Sequence, residues 1–191
     1  MRKIHLLPIL VLLMFTITSR AQKRERISNP YGTPDGEYEK LNLGIGFGFD
    51  YGGIGGNLTY YPQKNFGLFF GGGYAFAGFG YNAGIKYRFL PSNPNSQFTP
   101  FLMAMYGYNA AVKVSGSSQF DKMFYGPSVG AGFDLGSHII GKGQFSLAIF
   151  VPFRSPNPND YMDQLKNDFG IEFKNKLLPI GISVGYKFNL N

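Results

Sequence analysis

Leu41-Asn42-Leu43-Gly44-Ile45-Gly46-Phe47-Gly48-Phe49-Asp50-Tyr51 alternates without a break between a bulky apolar residue and a small or polar one. A period of two belongs to an extended strand, because successive side chains leave a strand on opposite faces. One face of this strand carries Leu41, Leu43, Ile45, Phe47, Phe49 and Tyr51. The other carries Asn42, Gly44, Gly46, Gly48 and Asp50.

The same division recurs downstream. After a Gly52-Gly53 turn the bulky positions are Ile54, Leu58 and Tyr60. A third set is Phe66, Leu68, Phe70, Tyr74 and Phe76. A fourth is Phe79, Tyr81, Ala83, Ile85, Tyr87 and Phe89, against Asn82, Gly84, Lys86 and Arg88. A fifth strand covers residues 98–114, where two phases compete: Phe101, Met103 and Met105 against Leu102, Ala104, Tyr106 and Tyr108. The sixth sets Tyr125, Val129, Ala131, Phe133 and Leu135 against Gly126, Ser128, Gly130, Gly132 and Asp134. The seventh sets Phe145, Leu147, Ile149, Val151 and Phe153 against Gln144, Ser146 and Ala148. The eighth sets Ile180, Ile182, Val184, Tyr186 and Phe188 against Gly181, Ser183, Gly185 and Lys187.

Each strand is close to the roughly 9–11 residues that a tilted strand needs to cross a bilayer. An even number of strands returns both chain ends to one side. The two faces decide which way the barrel is turned. A soluble barrel points bulk inward, but eight strands enclose room for few large side chains. Glycine therefore suits the inside, and the aromatic face suits hydrocarbon. Asp50, Lys86, Arg88, Asp134 and Lys187 all fall on the small-residue face. A lysine or arginine facing lipid at the midplane would cost about 2–4 kcal/mol. Lipid also offers no hydrogen-bond partner to an open sheet edge. The chain is thus predicted to be an all-β, eight-stranded antiparallel up-and-down transmembrane β-barrel over residues 39–191.

Composition agrees. Of 191 residues 17% are aromatic and only 15% charged, with 27 glycines. Soluble enzymes carry nearer a quarter charged residues, and disordered chains lack aromatics. The absence of cysteine excludes disulfides, thiolate metal sites and a cysteine nucleophile. At the start, Arg2 and Lys3 precede a mostly apolar run over residues 4–17, and Ser19-Arg20-Ala21 offers small residues at a cleavage site. This is the pattern of a secretory signal peptide over residues 1–21. The run is too short, and interrupted by Pro8, to span as a helix. Cleavage would leave 15 basic and 11 acidic residues. Residues 22–38 are polar, with Asn29-Pro30, Thr33-Pro34 and Asp35-Gly36 as turn signals, and read as a flexible periplasmic lead-in.

Outer-membrane barrels have short periplasmic turns and longer outer loops. That places connections 62–65, 91–97 and 136–142 in the periplasm, and 52–53, 77–78, 115–122 and 154–176 outside. The last is the longest. Asn157 suits a helix cap, Pro158 the first helical position and Gly170 the stop. Tyr161, Leu165 and Phe169 then share a face. That face is either a lid over the barrel mouth or a contact surface for a partner.

Tyr60-Tyr61-Pro62-Gln63-Lys64-Asn65-Phe66-Gly67-Leu68 resembles a strand–turn–strand signature of small outer-membrane β-barrel proteins of Bacteroidota-type bacteria. Phe98-Thr99-Pro100-Phe101 with Tyr106-Gly107-Tyr108 resembles that family's fifth strand. Gly185-Tyr186-Lys187-Phe188 resembles its closing strand. The resemblance implies residence in the outer membrane and insertion by the barrel-assembly machinery, which reads the last strand. Leu190 here stands in the place of the usual terminal aromatic. The family, whose members are porin-like, secretion-associated or of other role, implies no single activity.

Chemical motifs are sparse. Gly44-x-Gly46-x-Gly48 lacks the following helix that a phosphate loop needs, and strand alternation continues through it. His138, the one histidine after residue 21, falls in a predicted periplasmic turn and reads as solvated. Asp160, Asp163 and Asp168 lack the spacing of a calcium loop. Lys86, Arg88, Lys187 and Asp134 lie toward the periplasmic end of the bore, where at least one ion pair is expected. Asp50 and Arg154 lie toward the other mouth. Together these six are read as a structural charge network. Basic and acidic residues balance on the outer loops, which excludes a nucleic-acid surface. The expectation is a non-enzymatic barrel of structural or surface-interaction role, with no cofactor and no metal. Its expected partners are outer-membrane lipid, the assembly machinery, and a surface or periplasmic protein. The alternatives are a barrel enzyme acting on envelope lipid, a narrow or secretion-associated pore, and a soluble lipid-binding barrel.

Overall fold

The computed structural model describes residues 39–91, 96–114, 117–138, 141–155, 158–171, 173 and 177–190. The predicted signal peptide, the lead-in and the Asn157 cap lie outside them. The described chain forms eight strands: β1 (Leu41–Gly48), β2 (Gly53–Tyr60), β3 (Phe66–Tyr74), β4 (Phe79–Arg88), β5 (Phe98–Val112), β6 (Lys122–Gly136), β7 (Gly143–Pro152) and β8 (Gly181–Asn189). Each pairs antiparallel with the next, and β8 returns to β1 with Ile45 opposite Tyr186, closing the barrel. No helix of the described residues is long and apolar enough to cross a membrane.

The bulky face is on the outside. Phe47, Phe70, Tyr87 and Ile182 are 46%, 56%, 47% and 54% exposed, whereas Asn42, Asn57, Lys86, Asp134 and Lys187 are buried in the bore. The ambiguous fifth strand is settled in the same sense. Leu102 and Tyr106 face out, and Phe101, Met103 and Met105 face in. Hydrophobicity could not choose between them because this wall of the bore is itself apolar. Phe101, Met103 and Met105 pack with Phe69, Ala148 and Phe150.

The first connection departs from the sequence reading. β1 stops at Gly48 rather than running to Tyr51, and Phe49–Tyr51 form a single 3-10 turn folded into the bore. Asp50 and Tyr51 are fully buried there, so Tyr51 is not on the outer face. Gly48 (φ 130°) and Gly52 (φ 67°) flank the turn with backbone angles that favour glycine. Asn82 donates to the Phe49 carbonyl (2.7 Å), and Asn57 donates to the Asp50 carboxylate (3.1 Å). The glycine faces of β1 and β8 make room for the Tyr51 ring, since a Cβ at Gly46 or Gly185 would strike it and one at Gly44 would press on its edge. The short connection at 52–53 is thus explained: the residues before it, Phe49–Tyr51, are folded into the bore.

β5 and β6 are longer than their neighbours, at 15 residues each, and their hairpin stands above the far rim. A bulge between Tyr108 and Ala110 reverses the alternation, turning Ala110 and Val112 to one side. Against them packs α1 (Pro158–Phe169) through Met162, with Phe124 completing the cluster. The helix ends as predicted at Gly170 (φ 67°). The Gly170 N–H donates to the Lys166 carbonyl, the bond of an αL cap, and the Ile171 N–H donates to the Leu165 carbonyl.

Gly185→Val should lower stability by about 1–3 kcal/mol through overpacking against Tyr51. Combined with Tyr51→Ala, the loss should be less than additive. Urea titration of the folded, heat-modifiable gel band measures both.

Candidate functional site

The interior is layered. At the end where the chain enters and leaves, Glu39 curls under the barrel and is fully buried. Its Oε1 accepts from Arg88 Nη1, from Gln144 Nε2 (3.1 Å) and from the His138 ring (2.8 Å). A carboxylate only accepts, so His138 Nδ1 carries the proton in that bond. His138 Nε2 meets Thr99 Oγ1 at 2.7 Å. Arg88 also donates through Nε to the Lys64 carbonyl (2.6 Å) and lies 3.7 Å from the Tyr61 ring centre. His138 is therefore a buried member of a clasp, not a solvated turn residue. Burial alone would raise the pKa of Glu39; the His138 hydrogen bond and the Arg88 charge outweigh it and hold the carboxyl below its ordinary value.

Thr99, His138 and Glu39 line up as hydroxyl, imidazole and carboxylate, the order of a hydrolytic triad. Thr99 is 0% exposed, however, and its oxygen is closed off from solvent. The arrangement acts as a tether: it fixes the segment before β1 to β4, β5 and the β6–β7 connection.

One layer up, Asp134 sits between two lysines. Its Oδ2 is 2.5 Å from Lys86 Nζ and its Oδ1 is 3.5 Å from Lys187 Nζ. Lys187 also donates to Ser146 Oγ (3.0 Å), and Lys86 lies 3.8 Å from the Phe101 ring centre. All three charges are buried, so each depends on the others to offset lost hydration. Of the predicted charge group, Arg88 belongs to the Glu39 clasp and Asp50 to the inward turn. Arg154 stands apart at the far mouth. Its Nε donates to the Asn109 carbonyl (3.3 Å) and its Nη1 to the Leu178 carbonyl (2.7 Å). No carboxylate among the described residues lies within ion-pair distance of it.

The helix face offered as a contact surface is largely occupied. Leu165 is buried and Tyr161 is half-buried, its hydroxyl donating to the Phe120 carbonyl (3.0 Å). Phe169 is exposed on one side and meets the Phe120 ring at 4.8 Å on the other. Sequence reasoning missed Glu39 and Tyr51. For His138 a signal existed, because it continues the even-numbered inward positions of β6 that end at Asp134 and Gly136. Among the described residues, no three His, Asp or Glu side chains gather as a metal site would require.

Asp134→Asn should cost about 3–5 kcal/mol, because two lysines are left buried without a counter-charge. Replacing the set together (Lys86→Met, Asp134→Leu, Lys187→Met) should restore most of it, as urea midpoints would show. The lowered pKa of Glu39 means that the folded chain holds that proton more weakly than the unfolded chain. Its stabilisation is therefore full above the ordinary value near 4.5 and is lost as pH falls through the folded value. Glu39→Gln should remove that part of the acid dependence, read as the denaturation midpoint against pH.

No protein-family profile matches the chain, and no curated protein matches it. A solved structure that does match is the crystal structure of the N-terminal beta-barrel domain of Pseudomonas aeruginosa OprF, at 16% identity and a TM-score of 0.41, covering 80% of this chain and 100% of that one.

Proposed function

We propose that this chain is a small outer-membrane barrel with a structural, non-enzymatic role and a closed bore. The observation that carries the reading is the inversion of its surface. A belt of large apolar side chains covers the outside on every strand, while lysines, aspartates and asparagines fill the inside. Monomeric soluble proteins rarely expose apolar patches above a few hundred Å², and a continuous belt of this kind is satisfied by hydrocarbon. In this reading residues 1–21 direct export and are removed, residues 22–38 remain in the periplasm, and the assembly machinery inserts the barrel. The motifs at 60–68, 98–108 and 185–188 support a place among the Bacteroidota-type barrels.

A closed bore follows from its contents. The turn Phe49–Tyr51, the Phe69–Phe101–Phe150 layer, the Asp134 ion pairs and the Glu39 clasp succeed one another along the axis. The helix α1 and the β5–β6 hairpin remain the part presented to the outside, where a surface partner would meet them.

Three measurements test the proposal. The protein should fractionate with the outer membrane as a heat-modifiable band. In planar bilayers it should give no conductance steps, and Tyr51→Gly combined with Asp50→Gly should still give none, because the Phe101 layer, the Asp134 ion pairs and the Glu39 clasp remain along the axis. Release into the aqueous periplasmic fraction would refute the membrane reading. Steady conductance of the natural chain would refute the closed bore. A changed phospholipid or lipid-A profile on expression would refute the non-enzymatic role.

A further inference from the structure

We propose that the far rim holds a groove for one acyl chain of a membrane lipid with an acidic headgroup, whose phosphate is held by Arg154. The inference rests on the membrane reading above and adds a ligand to it.

The groove arises where β1 turns inward. The β1–β8 ladder stops at Phe47 opposite Val184, yet β8 runs on to Gly181 along β7. The outer end of the seam is therefore unpaired on one side, and the Phe49 ring packs against Gly181 in the gap. On the lipid side of this notch lies a cavity of about 240 Å³ with Phe47, Phe76 and Ile182 in its wall. On the mouth side lies a second, of about 400 Å³, that reaches Arg154. The two share Phe49, Tyr108, Leu178 and Ile180, so they run on from one another. Together they fall in the size range of small-molecule sites. Phe76 adds a mark of its own. It holds φ at 59°, unfavourable for a bulky residue, with its ring 6.4 Å from that of Phe47. The turn is thus held in a strained form that builds the wall of the notch.

Chemistry selects the occupant. One end of the groove belongs to the apolar belt and is open to hydrocarbon; the other ends on a half-buried guanidinium with no carboxylate among the described residues. Burial draws the pKa of Arg154 down from its ordinary value and Tyr108 acts in the opposite sense, as for a charge left without a counter-ion. Two backbone carbonyls fix its Nε and Nη1, which orients the planar fork before any ligand arrives. A guanidinium so held suits a phosphate oxygen pair. An opening on the lipid-facing wall points to a lipid entering sideways from the bilayer.

The test uses the full chain in phosphatidylcholine vesicles doped with phosphatidylglycerol that carries a photoreactive group on its acyl chain. Adducts should concentrate on peptides containing Phe47, Phe76 and Ile180, above those at Leu102 and Tyr106 on another part of the belt. Arg154→Gln should reduce the groove adducts about tenfold, the scale of a lost charged hydrogen bond, and Arg154→Lys, which keeps the charge but not the fork, should fall between that level and the natural chain's. Ile180→Glu, which leaves the Arg154 carbonyl contacts in place, should lower them too. The same probe built on diacylglycerol, which has no phosphate, should be indifferent to Arg154→Gln. Even labelling around the belt, or labelling unmoved by Arg154→Gln and Ile180→Glu, overturns the groove while leaving the membrane reading intact. Absence of labelling anywhere on the belt, with no heat-modifiable band, overturns both.

Discussion

The space inside eight strands is the quantity that the rest of this structure answers to. Such a cylinder admits side chains but little else, and the bulky face of every strand is turned outward. What remains for the interior is one small or polar residue in two. Glycine alone would leave it empty. The chain fills it by folding a connection inward and by spending a few large residues where neighbouring glycines leave room. Tyr51 lies over Gly44, Gly46 and Gly185, while Phe101 approaches Gly132, and Phe150 approaches Gly130. The charges complete the packing. Lys86 and Lys187 have stems long enough to cross the bore, and Asp134 makes their burial tolerable.

Much of this was legible in the alternation. A period of two, repeated eight times with its charges confined to one face, is enough to state strand number, closure and orientation. Where it failed, the reason is local. Phe101, Met103 and Met105 were ambiguous because an apolar layer inside the bore erases the contrast that sets the phase. Phe49 and Tyr51 kept the period of β1 while leaving its path, since alternation reports spacing along the chain and is silent on where Gly48 bends it. Glu39 lies before the strand, so no periodicity governs it. His138 has the parity of the inward positions of β6, but it follows Gly136, whose type also signals a turn.

Helix α1 shows the opposite balance. Its start at Pro158 and its stop at Gly170 depend on φ preferences that single residues carry, and both were readable. Its use was not. Tyr161, Leu165 and Phe169 share a face in any helix, but whether that face is free depends on the length of β5 and β6 and on the bulge at Tyr108. These raise Ala110, Val112 and Phe124 to meet it. Helix α1 is thereby an extension of the barrel wall.

The Glu39 clasp has a consequence for how the molecule is made. Its partners, Arg88, His138 and Gln144, are 49, 99 and 105 residues away in the chain. Contacts so distant cannot exist until the strands that carry them have been laid down side by side. A barrel short of β7 has no Gln144 to offer, and one short of the β6–β7 connection has no His138. The carboxylate thus behaves as a tally of finished strands: it finds its full set of donors on a completed wall, and on any shorter intermediate stays in water as an ordinary acid.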